Sequence, residues 1–163
     1  VLAYLKSDLK RGVIQLDAEI RALTVDDRAA WLPLWQGYQA FYKVDIADPV
    51  TNRTWSRMLD PAEPVHGALA LLDGKAVGLV HWLFHRSTWS VVDLCYLQDL
   101  FVAPETRGRG AGVALIAHVY EQARTAGCAE VYWLTHETNT TAMKLYDRVA
   151  KRDGFVQYSK TLA

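Results

Sequence analysis

Residues 97–112 read LQDLFVAPETRGRGAG, and the reading of this stretch decides the fold. An apolar run of strand character ends at Pro104. Gly108, Gly110 and Gly112 then alternate with Arg107, Arg109 and Ala111. Beyond them Val113, Ile116, Tyr120 and Ala123 recur at helical spacing, and Gly127 stops the pattern. A strand therefore hands over to a helix through a glycine-rich turn. Such a turn presents backbone N–H groups at the positive end of a helix dipole, which suits an anion. Glycines let the backbone close on an oxygen, and two guanidinium groups add forked donors. Spacing excludes two common phosphate loops. No Gly-Lys precedes a Ser or Thr, as a Walker loop requires, and Val113 and Leu115 stand where a dinucleotide fingerprint would need a small residue. On composition alone, a glycine turn bearing solvated arginines remains the competing reading.

The segments on either side supply the rest of the architecture. VHGALALLDGKAVGLVHWLF (65–84) holds two apolar runs joined by Asp73-Gly74, a strong hairpin signal. VVDLCYLQDLFVA (91–103) is a further strand. DAEIRAL (17–23) alternates as a first strand. TVDDRAAWLPLWQGYQAFY (24–42) opens with a Thr and two acids, as a helix should. It then sets Trp31, Leu34, Trp35, Tyr38 and Tyr42 on one stripe, with Pro33 and Gly37 weakening the interior. DPVTNRTWSRMLDP (48–61) reads as a shorter helix, AEVYWLT (129–135) as a strand, NTTAMKLYDRVAKRDG (139–154) as a helix and FVQYSKTL (155–162) as a final strand. The order β-α-α-β-β-β-α-β-α-β predicts an α/β fold in one domain, residues 17–163. Residues 1–16 read as an appended arm.

Charge narrows the partners. Eighteen Lys and Arg balance eighteen Asp and Glu, so no basic surplus points to nucleic acid or to an anionic membrane. No apolar run reaches the ~20 residues that span a bilayer. Cys95 and Cys128 form no Cys-x-x-Cys or His-Cys cluster, which predicts a reduced, cytoplasmic protein without a thiolate metal site. His118 and His136 read as helix-surface and strand-end residues, and no pairing makes a metal centre of them.

Arg107-x-x-Gly110-x-Gly112 resembles the acyl-CoA pyrophosphate signature of the GNAT N-acetyltransferase superfamily. YLQDLFVAPETRGRGAG and NTTAMKLYDRVAKRDGF resemble consecutive motifs of that family, in the right order and separated by a helix and a strand. HWLFHRSTWSVVDLCYLQDLFV is similar to the same region of two subgroups, the polyamine (spermidine/spermine) acetyltransferases and the fungal histone, polyamine and D-amino-acid acetyltransferases. The resemblance covers residues 17–160. It implies a GNAT-type acyl-CoA N-acyltransferase fold with a mixed, largely antiparallel sheet flanked by helices, acetyl-CoA as co-substrate, no metal, and a homodimer.

Site roles follow from the resemblance. The strand before the glycines carries a bulge and splays in this family, which leaves the backbone of Leu100, Phe101 and Val102 to pair with pantetheine. Arg107, Gly108, Arg109, Gly110, Ala111, Gly112 and Val113 would wrap the pyrophosphate. Asn139 matches the residue that opens the next helix and contacts the cofactor arm, and an ordinary N-cap is its alternative. Arg148 either reaches the cofactor or lies in solvent. Tyr146 occupies the position of the acid that protonates the departing thiolate, although spacing alone makes it a core residue beside Ala142, Leu145 and Val149.

Acetyl transfer to an amine needs a proton acceptor. A lysine-like amine of pKa ~10.4 is charged at pH 7, a penalty of roughly 4–5 kcal/mol. The polyamine subgroup carries Glu-Asp before the apolar triplet, whereas this chain has Gln98-Asp99. Gln98 can only hold a water or the amine by hydrogen bonds. Strand alternation sends Asp99 to the opposite face, so base and buried structural acid both stay open for it. His81, His85 and Asp93 are further candidates through water. Trp82 and Trp89 are candidate walls of the acceptor site, with Trp31, Trp35 and Tyr38 as a lid, against core packing for each. Three functions result: a small-molecule amine acetyltransferase, a protein or peptide acetyltransferase of histone-like substrates, and a non-catalytic CoA-binding sensor.

Overall fold

A computed structural model describes residues 18–162, so the predicted arm at 1–16 lies outside the described residues. Five strands, β1 (Glu19–Ala22), β2 (Val65–Leu72), β3 (Lys75–His85), β4 (Leu94–Val102) and β5 (Val131–Tyr132), form one sheet in that order. The first four pair antiparallel, and β5 runs parallel to β4. Four α-helices cover its faces: α1 (Arg28–Tyr42), α2 (Asp48–Leu59), α3 (Ala111–Thr125) and α4 (Thr140–Val149). This is the mixed, largely antiparallel α/β sheet expected.

Alternation divides the core. Ala68, Ala70, Val80, Trp82, Cys95 and Leu97 point toward α3 and meet Leu115, Ile116 and Val119. Leu69, Leu79 and Phe101 point the other way, against Trp31, Leu34 and Trp35 of α1 and Trp55 and Met58 of α2. The Asp73-Gly74 hairpin forms as expected, with both residues at positive φ (50° and 75°), the backbone that a two-residue turn of matching twist requires. Gly37 does more than weaken α1. A Cβ there would meet the Phe101 ring at 2.7 Å, so its absence lets the helix lie directly on β4.

Three expectations are corrected. The strand at 129–135 is paired only over Val131–Tyr132. The helix begun at Asn139 stops at Val149, because Ala150 turns extended (φ −147°). The final strand, 155–162, does not form: residues 150–162 carry no regular structure, and Phe155, Val156, Tyr158 and Leu162 are exposed. Strand-like composition needs an edge to pair with, and a two-residue β5 offers almost none.

Candidate active site

The short β5 creates the site. Its pairing with β4 covers only Cys95 and Tyr96, so from Leu97 to Val102 that side of β4 has no strand partner among the described residues. A cleft opens between the end of β4 and α4. Its cavity, about 1260 Å³, is lined by Leu100, Phe101, Val102, every residue from Thr106 to Val113, and Asn139, Tyr146 and Arg148. Each residue expected to bind the cofactor therefore lies on one wall or another of a single cavity. Phe41, Tyr42 and Lys43, at the end of α1, close it from the other side. Phe41 and Lys43 carried no signal in the sequence, whereas Tyr42 stood on the aromatic stripe.

Gly108 and Gly110 both sit at positive φ (82° and 83°), a conformation that L side chains rarely adopt. They turn the chain so that Gly110 caps α3, which places the helix N-terminus at the cavity. Arg107 is held by its Nε–H, which donates to the Val102 carbonyl at 3.1 Å, and its guanidinium lies 5.9 Å from the centre of the Phe41 ring. Asn139 stands at the N-cap position of α4 but makes no side-chain bond to the helix. Its amide instead donates to Thr135 Oγ1 at 3.2 Å, so the ordinary capping role is not the one it performs. Arg148 is exposed at the cavity edge.

Tyr146 is half-buried, with its ring edge-on to Trp133 at 5.3 Å. Burial, and secondarily the neighbouring Tyr42, pushes its phenol up to about 12. It therefore keeps its proton across the physiological range.

The acceptor side departs from expectation at a single strand irregularity. Asp99 pairs with His81 but Leu97 pairs with Trp82, and Gln98 is the extra residue. Such a bulge breaks alternation. Leu97 therefore points to α3 whereas Asp99, two residues later, turns to α1 and bonds His81. The expectation that Gln98 and Asp99 take opposite faces rested on unbroken alternation, which the bulge interrupts here. The bulge itself lies two residues before the expected triplet. Gln98 is exposed and absent from the cavity wall, and Asp99 is buried outside that wall.

Asp99 sits in an aromatic enclosure. Its carboxylate oxygen Oδ2 is 3.0 Å from His81 Nδ1. Burial and the facing Asp99 carboxylate push the Tyr38 phenol well above its usual range, and burial with Asp99 raises Tyr96 as well. Tyr38 packs on Tyr42 with centroids 4.9 Å apart, and Tyr42 lines the cavity. Tyrosine rings thus lead from Asp99 to the cleft that holds Tyr146.

Other candidates fall away. Trp82 is buried under α3 and Trp89 is 89% exposed, so neither walls an acceptor pocket. Trp31 and Trp35 belong to the core, and only Tyr38 of the supposed lid faces Asp99. His85 is bonded to the Arg86 carbonyl and the Tyr132 hydroxyl, and Asp93 pairs with Arg86 at 3.3 Å. His118 is not a surface residue: its Nε2 is buried and its ring meets Trp82 edge-on. Among the described residues, no group of three or more His, Cys, Asp or Glu is placed to hold a metal ion.

Residues 25–150 match the family model described as the acetyltransferase (GNAT) family, which is most of the chain. The chain belongs to the GNAT acetyltransferase family. It is similar to the D-amino-acid N-acetyltransferase HPA3 of Saccharomyces cerevisiae, at 36% identity over 86% of this chain and 89% of that protein. A thialysine N-epsilon-acetyltransferase of Bos taurus is 36% identical over 47% of this chain and 45% of its own length. The fold is shared with AAC(6')-Iy, solved in complex with the bisubstrate analog CoA-S-monomethyl-acetylneamine, at a TM-score of 0.78 and 21% identity over 90% of this chain and 99% of that one. As a GNAT protein the chain is an acetyl-CoA-dependent N-acetyltransferase.

Proposed function

We propose that this GNAT enzyme transfers acetyl directly from acetyl-CoA to a primary amine of a small molecule, amino acid or polyamine-like. The observation that carries the reading is the single cleft that joins the glycine turn, the unpaired edge of β4 and a protonated Tyr146, with Asp99 one aromatic layer away. Relatives named for D-amino-acid and thialysine acetylation support a small amine as acceptor.

Residues 107–113 would hold the pyrophosphate through backbone N–H groups and guanidinium donors, and Asn139 and Arg148 would contact the cofactor arm. The backbone of Leu100, Phe101 and Val102 would pair with pantetheine, and an N–H of this stretch would polarise the thioester carbonyl. The ammonium of the acceptor would lose its proton to Asp99 through water, because Tyr38 and Tyr42 stand between the carboxylate and the cleft. The neutral nitrogen then attacks the carbonyl carbon, the C–N bond forms, the C–S bond breaks, Tyr146 gives its proton to the departing sulfur, and the second proton shed by the nitrogen passes through water to restore the Tyr146 phenol. Gln98, exposed beside Asp99, would orient the incoming amine or a water.

Two further features belong to this reading. The exposed apolar residues of 155–162 support a homodimer that covers them. Unpaired Cys95 and Cys128 support a reducing, cytoplasmic setting.

A panel of small amines, basic peptides and buffer alone, read by thiol release from acetyl-CoA, tests the assignment. Small amines should give turnover well above peptides. Peptide turnover alone would make this a protein acetyltransferase, and binding of acetyl-CoA without thiol release on any acceptor would make it a sensor.

A further inference from the structure

Asp99, the proton acceptor of the reaction scheme, is one end of a buried three-residue chain whose other two members the scheme does not use. The Trp31 indole N–H donates to His81 Nε2 at 2.9 Å, and His81 Nδ1 lies 3.0 Å from Asp99 Oδ2. All three are buried: Trp31 is 0% exposed, His81 3% and Asp99 6%. An indole can only donate. Nε2 must therefore offer its lone pair, the ring proton must sit on Nδ1, and Nδ1–H must donate to the carboxylate. The imidazole is thereby kept neutral, since a proton on Nε2 would face the Trp31 N–H head-on.

We propose that Trp31 is a positioning residue that holds His81 as the neutral Nδ1–H tautomer, so that Asp99 is oriented by a hydrogen bond without being neutralised by a cation. This rests on the reading of Asp99 as proton acceptor. Asp99 would be a far poorer base beside an imidazolium, because an adjacent opposite charge stabilises the carboxylate against protonation. The surroundings fit that purpose. Tyr38 of α1 and Tyr96 of β4 face the carboxylate, with Tyr42 packed beyond Tyr38, and Gly67 of β2 lies against the His81 ring. The Arg28 guanidinium lies over the Trp31 and Trp55 rings, 5.3 and 5.5 Å from their centres. Trp31 in turn stacks at 6.0 Å on Trp35, and Trp55 tilts against it at 5.0 Å, which fixes the direction of its N–H. The Gln98 bulge is what brings Asp99 to this face.

The test has a spectroscopic arm and a kinetic arm. In the wild-type protein, 15N NMR of His81 at neutral pH should show a protonated Nδ1 and an unprotonated Nε2. A protonated Nε2 or an imidazolium would overturn the proposal, whether or not the enzyme turns over. In Trp31→Phe, whose fold is checked by circular dichroism, the freed Nε2 can take a proton. The acid limb of the kcat profile, measured at saturating amine, should then move to higher pH by about one unit or more. Adding His81→Asn, which can still donate to Asp99 but cannot titrate, should return the limb toward the wild-type position. An unmoved limb in folded Trp31→Phe, or no return in the double variant, would overturn it. Asp99→Asn separates the two claims: full activity in that variant sinks Asp99 as base, while the His81 spectrum still reads the tautomer.

Discussion

Tyr146 keeps its proton because burial, and secondarily Tyr42, disfavours its anion, with the ring half-buried against Trp133; that retained proton is what the proposed acid would give. Removing the hydroxyl should therefore affect the leaving group and little else. Tyr146→Phe is expected to lower kcat by about 100-fold or more, the usual scale of a lost general acid, with the Kd for acetyl-CoA within about twofold. Because burial holds the phenol near 12, the wild-type kcat should not fall between pH 8 and 10 through loss of this proton. A variant with full kcat, or a weakened Kd alone, would assign Tyr146 to binding. The role was legible only through its motif. Spacing alone gives an amphipathic core residue, and Tyr146 does pack against the core.

At the scale of elements, one contact ties a helix to the acyl site. Gly37 of α1 lies on the Phe101 ring so closely that a methyl group would sit 2.7 Å from it. Ala is the better helix former by about 1 kcal/mol, yet overpacking a filled core costs about 1–3 kcal/mol. Gly37→Ala should therefore lower thermal stability and raise the KM for acetyl-CoA, since Phe101 also lines the cavity. A more stable protein with unchanged KM would show that the ring moves freely. The sheet hairpin and helices α1, α2 and α3 were legible because each signal was local: Asp73-Gly74, the Thr24 start, the apolar stripes and the glycine stop. A bulge in β4 was expected only through the family resemblance, and its place at Gln98 was not marked. Nothing in YLQDLF marks an extra residue, because the register depends on the partner strand β3. That one extra residue sets the face of Asp99, which turns to α1 and bonds His81.

Across the whole molecule, two half-buried histidines bracket Trp82. His66 stacks on it at 5.5 Å and His118 meets it edge-on at 5.6 Å, and burial lowers the pKa of both below the ordinary 6.5. The unfolded chain therefore binds protons first on acidification. Stability is intact above about pH 6.5 and is lost as the pH falls from there through the depressed folded values. Tm should decline between pH 7 and 5, and His118→Leu should flatten that decline, whereas a slope unchanged in the variant would place the sensitivity elsewhere. The same scale explains the missed final strand. Phe155, Val156, Tyr158 and Leu162 have strand-like chemistry, but whether they pair depends on an edge that β5 does not extend to them. Tertiary partners, unlike turns and stripes, leave no local mark.

The most direct test of the account is a single turnover. Enzyme loaded with carbon-labelled acetyl-CoA is mixed with a reactive small amine and quenched over time. Direct transfer predicts that free thiol and acetylated amine appear together, in one first-order phase and in equal amounts, with no label on the protein. Label accumulating on the protein before the amine, or thiol release without acetylated amine, would contradict it.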